Sequence, residues 1–395
     1  MTSASPSKAV LWRSLIAVIG GLTVASMTGG FNAPLFATRL DEMGVDDWLI
    51  GASTAANAIG LFVVAPFAPA IIARYGLAPV MIVTTLLEAV LYLACTVVTG
   101  FWGWTIIRLA MGAIGGVLWI AGEVWITQTA TDAIRGRVLA IYNACFSLGS
   151  AVGPSVLSIV GYAGATPFII ATVITVASVL PIIWARKLAP QIEDERRGDG
   201  LLGMTKSLLT PLRLAPVPMM FNLSYALVFT ALWTFLPVYA ADTDLDVDRA
   251  FQQLTAFAIG GIALQYPIGW LSDRGDSRLV GACLIGGSFL ALLVIDVFIH
   301  VPVLDFVYFF VLGGLVSGLY VVALSLIGAQ FRGSSLATAI TVYTLMWSAA
   351  SVFSPPFVGL ANDIVGPDGL PLSMVLFTAV FLPFAVASWL RHRRS

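Results

Sequence analysis

Two long apolar runs meet at Tyr266-Pro-Ile-Gly-Trp-Leu-Ser-Asp-Arg-Gly-Asp-Ser-Arg278, and this junction decides the fold. It places six charged or hydroxyl-bearing residues between the runs. A weaker copy, Pro66-Phe-Ala-Pro-Ala-Ile-Ile-Ala-Arg-Tyr-Gly76, lies about two hundred residues earlier, and aligning Arg74 with Arg274 also aligns Gly60 with Gly260. A chain that repeats itself at half its length is typical of two related helical bundles, and the gap between such bundles is where a transporter holds its cargo.

The composition indicates that the bilayer is the solvent of this chain. Charged residues make up 10% of the 395 residues and hydrophobic ones 59%, with a mean hydropathy of +0.95. A soluble domain carries about 25% charge. The three cysteines lie inside apolar runs, which argues against a disulfide framework. The two histidines form no metal-binding pattern, and no Ser-His-Asp or Cys-His arrangement is visible, so we expect neither an enzyme nor a cofactor.

Twelve apolar segments are each near the roughly 20 residues that a membrane-spanning helix needs. The longest polar insert, 186–214, falls midway along the chain. We therefore predict an all-α membrane protein with twelve transmembrane helices in two pseudo-symmetric six-helix bundles. The N-terminal bundle would be 1–188, the cytoplasmic linker 189–214 and the C-terminal bundle 215–395. The predicted spans are 12–38, 48–70, 78–99, 102–128, 137–160, 164–186, 215–240, 250–272, 279–300, 303–329, 336–361 and 371–390.

Basic residues are concentrated on one side of the predicted spans. With the N-terminus inside, 17 of the 20 Lys and Arg residues fall in cytoplasmic segments. The opposite loops are acidic, with Asp41, Glu42, Asp46 and Asp47 in one of them. Cytoplasmic loops of membrane proteins carry an excess of Lys and Arg. We therefore predict a multi-pass protein of the cytoplasmic (inner) membrane with both termini in the cytoplasm.

The fourth predicted span carries a stripe of charged, small and aromatic residues. Its members, spaced 4, 3, 4 and 4 apart, share one face of an α-helix. They are Arg108, Gly112, Gly115, Trp119 and Glu123. The two charges lie roughly 22 Å apart along the helix, so each needs a partner on another helix, in water or on the cargo. Arg108 either neutralises backbone carbonyls or contacts the cargo, and Glu123 either reaches the cytoplasmic interface or titrates.

Other predicted spans show faces of small, polar or aromatic residues, which suit either close helix packing or a cavity wall. Glu88 and Asp296 also lie within spans, where an unpaired carboxylate is costly. A hydrogen bond between helices explains them more simply than proton transfer does. The proton-coupling candidates are Glu123 and Glu88. The candidates for the cavity wall are Asn32, Arg108, Trp119, Tyr225, Trp233 and Tyr320.

Matching proline motifs occur in the fifth and eleventh spans, as Gly149-Ser-Ala-Val-Gly153-Pro154 and Ala350-Ser-Val-Phe-Ser354-Pro355-Pro356. Proline removes a backbone donor and bends a helix. Paired bends suit a hinged gate, although prolines are also frequent in membrane helices that do not gate. The hinge candidates are Gly149, Gly153, Pro154 and Pro355.

Together these motifs resemble the major facilitator superfamily over the whole chain. Gly269-Trp-Leu-Ser-Asp273-Arg274, followed by Arg278, resembles the family's signature for the loop between the second and third helices of each half. Arg108-Leu-Ala-Met-Gly112 resembles its fourth-helix motif, and Gly149 to Pro154 its fifth-helix antiporter motif. Within the family, Gln265–Asp273 and Phe331–Ala337 are similar to the poorly characterised YcaD-type branch of drug-efflux-like transporters.

The resemblance implies alternating access, with the first, fourth, seventh and tenth helices lining a central cavity. It also implies that Asp273 caps the eleventh helix and latches a cytoplasmic gate. In the N-terminal copy Ala73 replaces this acid, so the gate is expected to be asymmetric. The fifth-helix motif lacks its trailing glycine pair, which weakens the antiporter interpretation. The predicted gate residues are Arg74, Asp273, Arg274 and Arg278.

Our leading hypothesis is proton-coupled efflux, by antiport, of a small amphipathic organic molecule, with Glu123 as the proton carrier. One alternative is proton-coupled uptake of an organic anion held by Arg108. Another is a membrane sensor that does not transport. The expected partners are a small-molecule substrate, protons and the lipid bilayer, without nucleic acid or metal, and the expected state is a monomer.

Overall fold

A computed structural model describes residues 8–131, 134–190, 214–243 and 245–394, and within these ranges the secondary structure is helical, with no strand. The helices of the first half are α1 (Lys8–Asp41), α2 (Asp47–Val64), α3 (Ala68–Tyr75), α4 (Leu77–Ala94), α5 (Phe101–Thr129), α6 (Arg135–Val160) and α7 (Thr166–Ala185). Those of the second half are α8 (Pro216–Asp242), α9 (Val247–Arg274), α10 (Ser277–Leu293), α11 (Ile295–Phe298), α12 (Leu304–Gln330), α13 (Gly333–Val365) and α14 (Gly369–Arg394).

Ten stretches of the described chain are long and apolar enough to cross a membrane. The last of them, Thr338–Arg393, covers most of α13 and α14, and a short 3-10 turn at Gly366–Asp368 separates these two helices. The apolar helix α10 is shorter, at 17 residues. Counting α10 and dividing the last stretch gives twelve apolar helices. The prediction of an all-α, multi-pass membrane protein is confirmed.

Three predicted spans run at least five residues beyond their helices, one of them being the third, 78–99, whose helix ends at Ala94. In the second span, 48–70, helix α2 already ends at Val64, because a turn containing Pro66 separates α2 from α3. Proline has no backbone N–H and cannot donate the next helical hydrogen bond. In the ninth span, 279–300, helix α10 already ends at Leu293, because Val294 leaves the helical conformation, with a φ of −115° and a ψ of 14°. The short helix α11 follows as a separate turn.

The described residues form two compact units. The first contains the residues up to Met43 and from Ala56 to Pro190, and the second contains Gly44–Ala55 and the residues from Leu214 onward. The start of α2 therefore belongs to the second unit. The bundles that we predict, 1–188 and 215–395, differ from these units in the placement of Gly44–Ala55. Almost all of the predicted linker, 189–214, lies outside the described residues.

In each unit, two helices cross closely at a point where both helices have a glycine. In the first unit, a Cβ on Gly112 of α5 would overlap the carbonyl oxygen of Asn57 in α2. In the second, a Cβ on Gly313 of α12 would overlap the carbonyl oxygen of Phe257 in α9. Small residues allow such close approach of membrane helices. The second crossing repeats the first about two hundred residues later. The facing helices contribute the reciprocal glycines, Gly60 and Gly260.

Helix α6 packs against α1 through the two glycines of the predicted hinge. A Cβ on Gly149 would overlap the side chain of Ser26, and a Cβ on Gly153 would lie 2.6 Å from the carbonyl oxygen of Met27. Helix α6 continues through Pro154 as far as Val160. These glycines therefore serve close packing, and their action as a hinge stays a prediction.

Candidate functional site

Arg108 is buried inside the first unit, with 1% of its surface exposed. The guanidinium carbon lies 5.1 Å from the centre of the Phe36 ring, which is the geometry of a cation–π contact. Phe36 in turn packs edge-on against Trp104, and its ring is tilted by 60° against that of Phe168. Among the described residues, Nε and Nη1 of Arg108 have no hydrogen-bond partner. Phe36 covers the guanidinium, and a place for Arg108 in a cavity wall stays a prediction.

Asn32 joins a short chain of polar groups next to this arginine. Its Nδ2 donates to the hydroxyl oxygen of Tyr92 at 3.1 Å, and that hydroxyl donates to the carbonyl oxygen of Thr28 at 3.3 Å. Glu88 lies one helical turn before Tyr92 on α4, and it has no hydrogen-bond partner in the part of the chain that the structure describes. Asn32 therefore ties α1 to α4, a contact that its position in the sequence does not reveal.

Trp119 and Glu123 form a second polar group of the first unit, together with two aromatic residues of α6. The indole Nε1 of Trp119 donates to the Glu123 carboxylate at 2.9 Å. The Trp119 ring stacks on the Phe146 ring, with 6.3 Å between the ring centres and 16° between the ring planes. The Tyr142 ring also packs against Phe146, with 6.0 Å between the ring centres. Glu123 is exposed on the protein surface. We call these four residues the Glu123 site. A carboxylate beside aromatic rings suits a cationic group with an apolar body.

The cavity-wall residues predicted in the second unit meet in one aromatic cluster. The centre of the Tyr225 ring lies 5.8 Å from that of Tyr320 and 5.1 Å from that of Trp347. One turn further along α8, Phe229 stacks on Trp233, with 4.9 Å between the ring centres and 11° between the ring planes. Trp347 is on α13 and escaped the sequence analysis, because helical spacing identifies neighbours on one helix only. The five residues form one aromatic cluster in which Trp233 is buried, and their role as a cavity wall stays a prediction.

Asp273, the acid of the predicted cytoplasmic latch, lies near the end of α9. Asp273 is exposed and makes no hydrogen bond to any residue that the structure describes. Because α9 continues to Arg274, Asp273 lies in the last turn of a helix rather than in a loop. At the start of α13 the Ser335 hydroxyl accepts the backbone N–H of Arg332 at 3.4 Å. A latch at Asp273 stays a prediction.

Two basic residues of the predicted gate, one in each half, pack on neighbouring rings. The guanidinium of Arg74 lies 5.4 Å from the Tyr75 ring, and that of Arg274 lies 4.4 Å from the Trp270 ring. Arg278 is in the first turn of α10. The two rings do not correspond in the alignment of the motif copies, because Tyr75 follows Arg74 whereas Trp270 lies one helical turn before Arg274.

Within the second unit, the end of α13 holds the start of α2. The carboxylate of Asp363 accepts the backbone N–H groups of Asp47 and Trp48 at 2.9 and 3.1 Å. Nδ2 of Asn362 donates to the Asp47 carboxylate at 2.7 Å. A carboxylate at a helix N-terminus satisfies free N–H groups and interacts favourably with the helix dipole. We call these four residues the α2 cap, which the sequence analysis missed.

The same segment of α2 packs tightly on α13. A Cβ on Gly51 would overlap the carbonyl oxygen of Pro355, and a Cβ on Gly359 would overlap that of Asp47. Pro355 lies inside α13, which continues to Val365. The predicted hinge proline is thus a packing partner of α2, and its action as a hinge stays a prediction.

The sequence of this chain matches a family model over residues 18–252 and 219–395. The model describes the Major Facilitator Superfamily. The chain belongs to the major facilitator superfamily. The resemblance proposed from the sequence is therefore confirmed.

Two relatives in the superfamily carry the description "uncharacterized MFS-type transporter". YfkF of Bacillus subtilis (strain 168) is 26% identical over 260 residues, which cover 66% of this chain and 66% of YfkF. YcaD of Escherichia fergusonii is 23% identical over 272 residues, which cover 68% of this chain and 69% of YcaD. The match thus spans slightly less than two thirds of YfkF. These matches support the similarity to YcaD-type proteins.

Solved structures of superfamily transporters share the fold. A variant of the nucleoside transporter NupG superposes with a TM-score of 0.78 at 14% identity, covering 95% of this chain and 99% of that one. A bacterial homologue of the human lysosomal transporter Spinster superposes with a TM-score of 0.76 at 15% identity, covering 97% and 96%. At such low identity the likeness shows the major facilitator fold alone.

Proposed function

We propose that this superfamily member is a secondary transporter that exports a small amphipathic organic cation in exchange for protons. The observation that carries the proposal is the exposed Glu123 carboxylate beside Trp119 in a membrane-spanning helix. Transport as such is supported by membership in a superfamily whose relatives are described as transporters.

Glu123 lies six residues before the end of α5, about 9 Å along the helix axis. A carboxylate at such depth needs water, a proton or a cation as its partner. The rings of Trp119 and Phe146 offer an apolar surface beside it. A proton and a cationic substrate would compete for the same carboxylate, so release of one would accompany binding of the other. This competition would couple export to proton entry.

The proposal is tested in proteoliposomes with an imposed pH gradient and a fluorescent lipophilic cation as the probe. Glu123→Gln should abolish transport driven by the gradient, because the amide neither titrates nor balances a positive charge. Glu88→Gln is the matched control, since it removes the other glutamate that we considered for coupling. Gradient-driven transport by Glu123→Gln at the parent rate would reject the assignment. Loss of transport in Glu88→Gln alone would move the proton site to α4.

Uptake of an organic anion is the second candidate, because two buried nitrogens of Arg108 lack a partner among the described residues. An anion could reach them only if Phe36 moved away. A thermal-shift screen with organic acids, cations and neutral sugars separates the two candidates, because a bound ligand stabilises the native state. Stabilisation by acids that Arg108→Ala abolishes would favour uptake of an anion. Stabilisation by cations that Glu123→Gln abolishes would favour export of a cation.

A further inference from the structure

An open cavity of about 440 Å³ lies in the second unit. Its described lining comes from the starts of α8 and α10 and from the ends of α12 and α14. Neither the Glu123 site nor the aromatic cluster contributes a residue to it. The volume is within the range of small-molecule sites. This cavity is therefore distinct from the site proposed for the transported molecule.

Two guanidinium groups make the cavity cationic. Arg278 lies in the first turn of α10 and Arg391 in the last turn of α14. Within the described ranges, neither side chain has a hydrogen-bond or ion-pair partner. The neighbouring carboxylate of Asp276 is engaged, because it accepts the backbone N–H of Arg278 at 2.9 Å. Guanidinium groups bind phosphate through paired, charge-assisted hydrogen bonds.

The remaining lining fits the rest of a phospholipid. Leu214, Val217 and Phe384 add an apolar wall. In the orientation that the distribution of basic residues predicts, this end of the unit is at the cytoplasmic leaflet, where anionic lipids are recognised by basic pockets between helices.

We propose that this cavity binds a phosphate-bearing anion through Arg278 and Arg391, and that its occupant is the head group of an anionic phospholipid. The phosphate would lie between the two guanidinium groups, and the acyl chains would follow the apolar wall. Such a lipid would tie the starts of α8 and α10 to the end of α14, which stabilises the unit.

The test measures thermal unfolding of the full-length protein in detergent while phosphatidylglycerol, phosphatidylcholine or inorganic phosphate is titrated. Phosphatidylglycerol should raise the melting temperature of the parent, and phosphatidylcholine should not. The double variant Arg278→Gln/Arg391→Gln should need about tenfold more phosphatidylglycerol for the same rise, since charge-assisted hydrogen bonds are lost. The matched control, Arg137→Gln/Arg186→Gln, removes two charges from the first unit and should respond like the parent.

Arg278→Lys/Arg391→Lys keeps both charges and should recover part of the response, which separates binding from misfolding. A rise with inorganic phosphate alone, lost in the double glutamine variant, would support the phosphate site and identify free phosphate as its occupant. Equal responses of the parent and the double glutamine variant would overturn the proposal. An equal loss in the Arg137/Arg186 control would overturn it as well, because the effect would then reflect net charge.

Discussion

At the scale of single residues, the carboxylate of Asp305 is the clearest buried charge of the second unit. It is fully buried in the first turn of α12 and accepts hydrogen bonds from Arg249 at 2.7 Å and from Gln253 at 2.9 Å. The Arg249 side chain keeps 27% of its surface exposed. The pair therefore ties α9 to α12 while the guanidinium remains in contact with solvent.

We expect Asp305→Ala to lower the free energy of unfolding by about 2–3 kcal/mol, because it leaves the Gln253 amide and the Arg249 guanidinium without their shared acceptor. The estimate is at the low end for a buried pair because Arg249 can turn toward water. Denaturant unfolding in detergent measures the change. Asp242→Ala, which removes an exposed carboxylate at the end of α8, should have little effect. Equal losses in both variants would contradict the prediction.

At the scale of helices, the reciprocal glycine contacts set how closely α2 approaches α5 and α9 approaches α12. Backbone carbonyl oxygens occupy the space that a Cβ on Gly112 or Gly313 would need. Backbone atoms cannot move aside as the end of a long side chain can. Each crossing therefore depends on the absence of a methyl group at each of its two glycines.

Gly112→Ala should destabilise the protein by about 1–3 kcal/mol, because the methyl group forces α5 away from α2. Gly115→Ala is the matched control on the same helix, since a Cβ there meets no atom within 4 Å. It should be neutral or stabilise the protein by up to about 1 kcal/mol, as alanine favours the helix more than glycine does. Thermal unfolding of both purified variants gives the comparison, and similar melting temperatures would refute the role of Gly112.

At the scale of the whole molecule, α2 is divided between the two units, and the α2 cap fixes its start to the second unit. Asp363→Ala should remove the cap at a cost of about 1–2 kcal/mol, which favours release of Gly44–Ala55 by roughly 5- to 30-fold. Ser53 is buried, so a cysteine at this position becomes accessible only when the segment is released. The probe is the Ser53→Cys variant of a protein whose three native cysteines are replaced. The measurement is the rate of labelling by a membrane-impermeant thiol reagent.

Asp368→Ala is the control for this experiment. It removes an exposed carboxylate from the turn after α13 and should leave the labelling rate unchanged. An unchanged rate in Asp363→Ala, or an equal rise in the control, would show that the cap does not hold α2 in place.

The sequence predicts well those features that depend on spacing along one helix. The pairing of Trp119 with Glu123 follows from a separation of four residues, and the aligned Gly60 and Gly260 follow from the internal repeat. Features that depend on a distant helix were missed. The cover of Phe36 over Arg108 depends on how α1 lies against α5, and the α2 cap joins residues 315 and 316 positions apart. Spacing within one segment carries no information about such pairs.

The division of α2 has a consequence for the genetics of this protein. A fragment that starts at Leu214 would omit Gly44–Ala55, so the Asp363 carboxylate would face no N–H groups and the surface of α13 around Pro355 would be bare. If the two halves were translated separately, the amino-terminal half would have to provide Gly44–Ala55, twelve residues that pack in the second unit, before the two could complement each other.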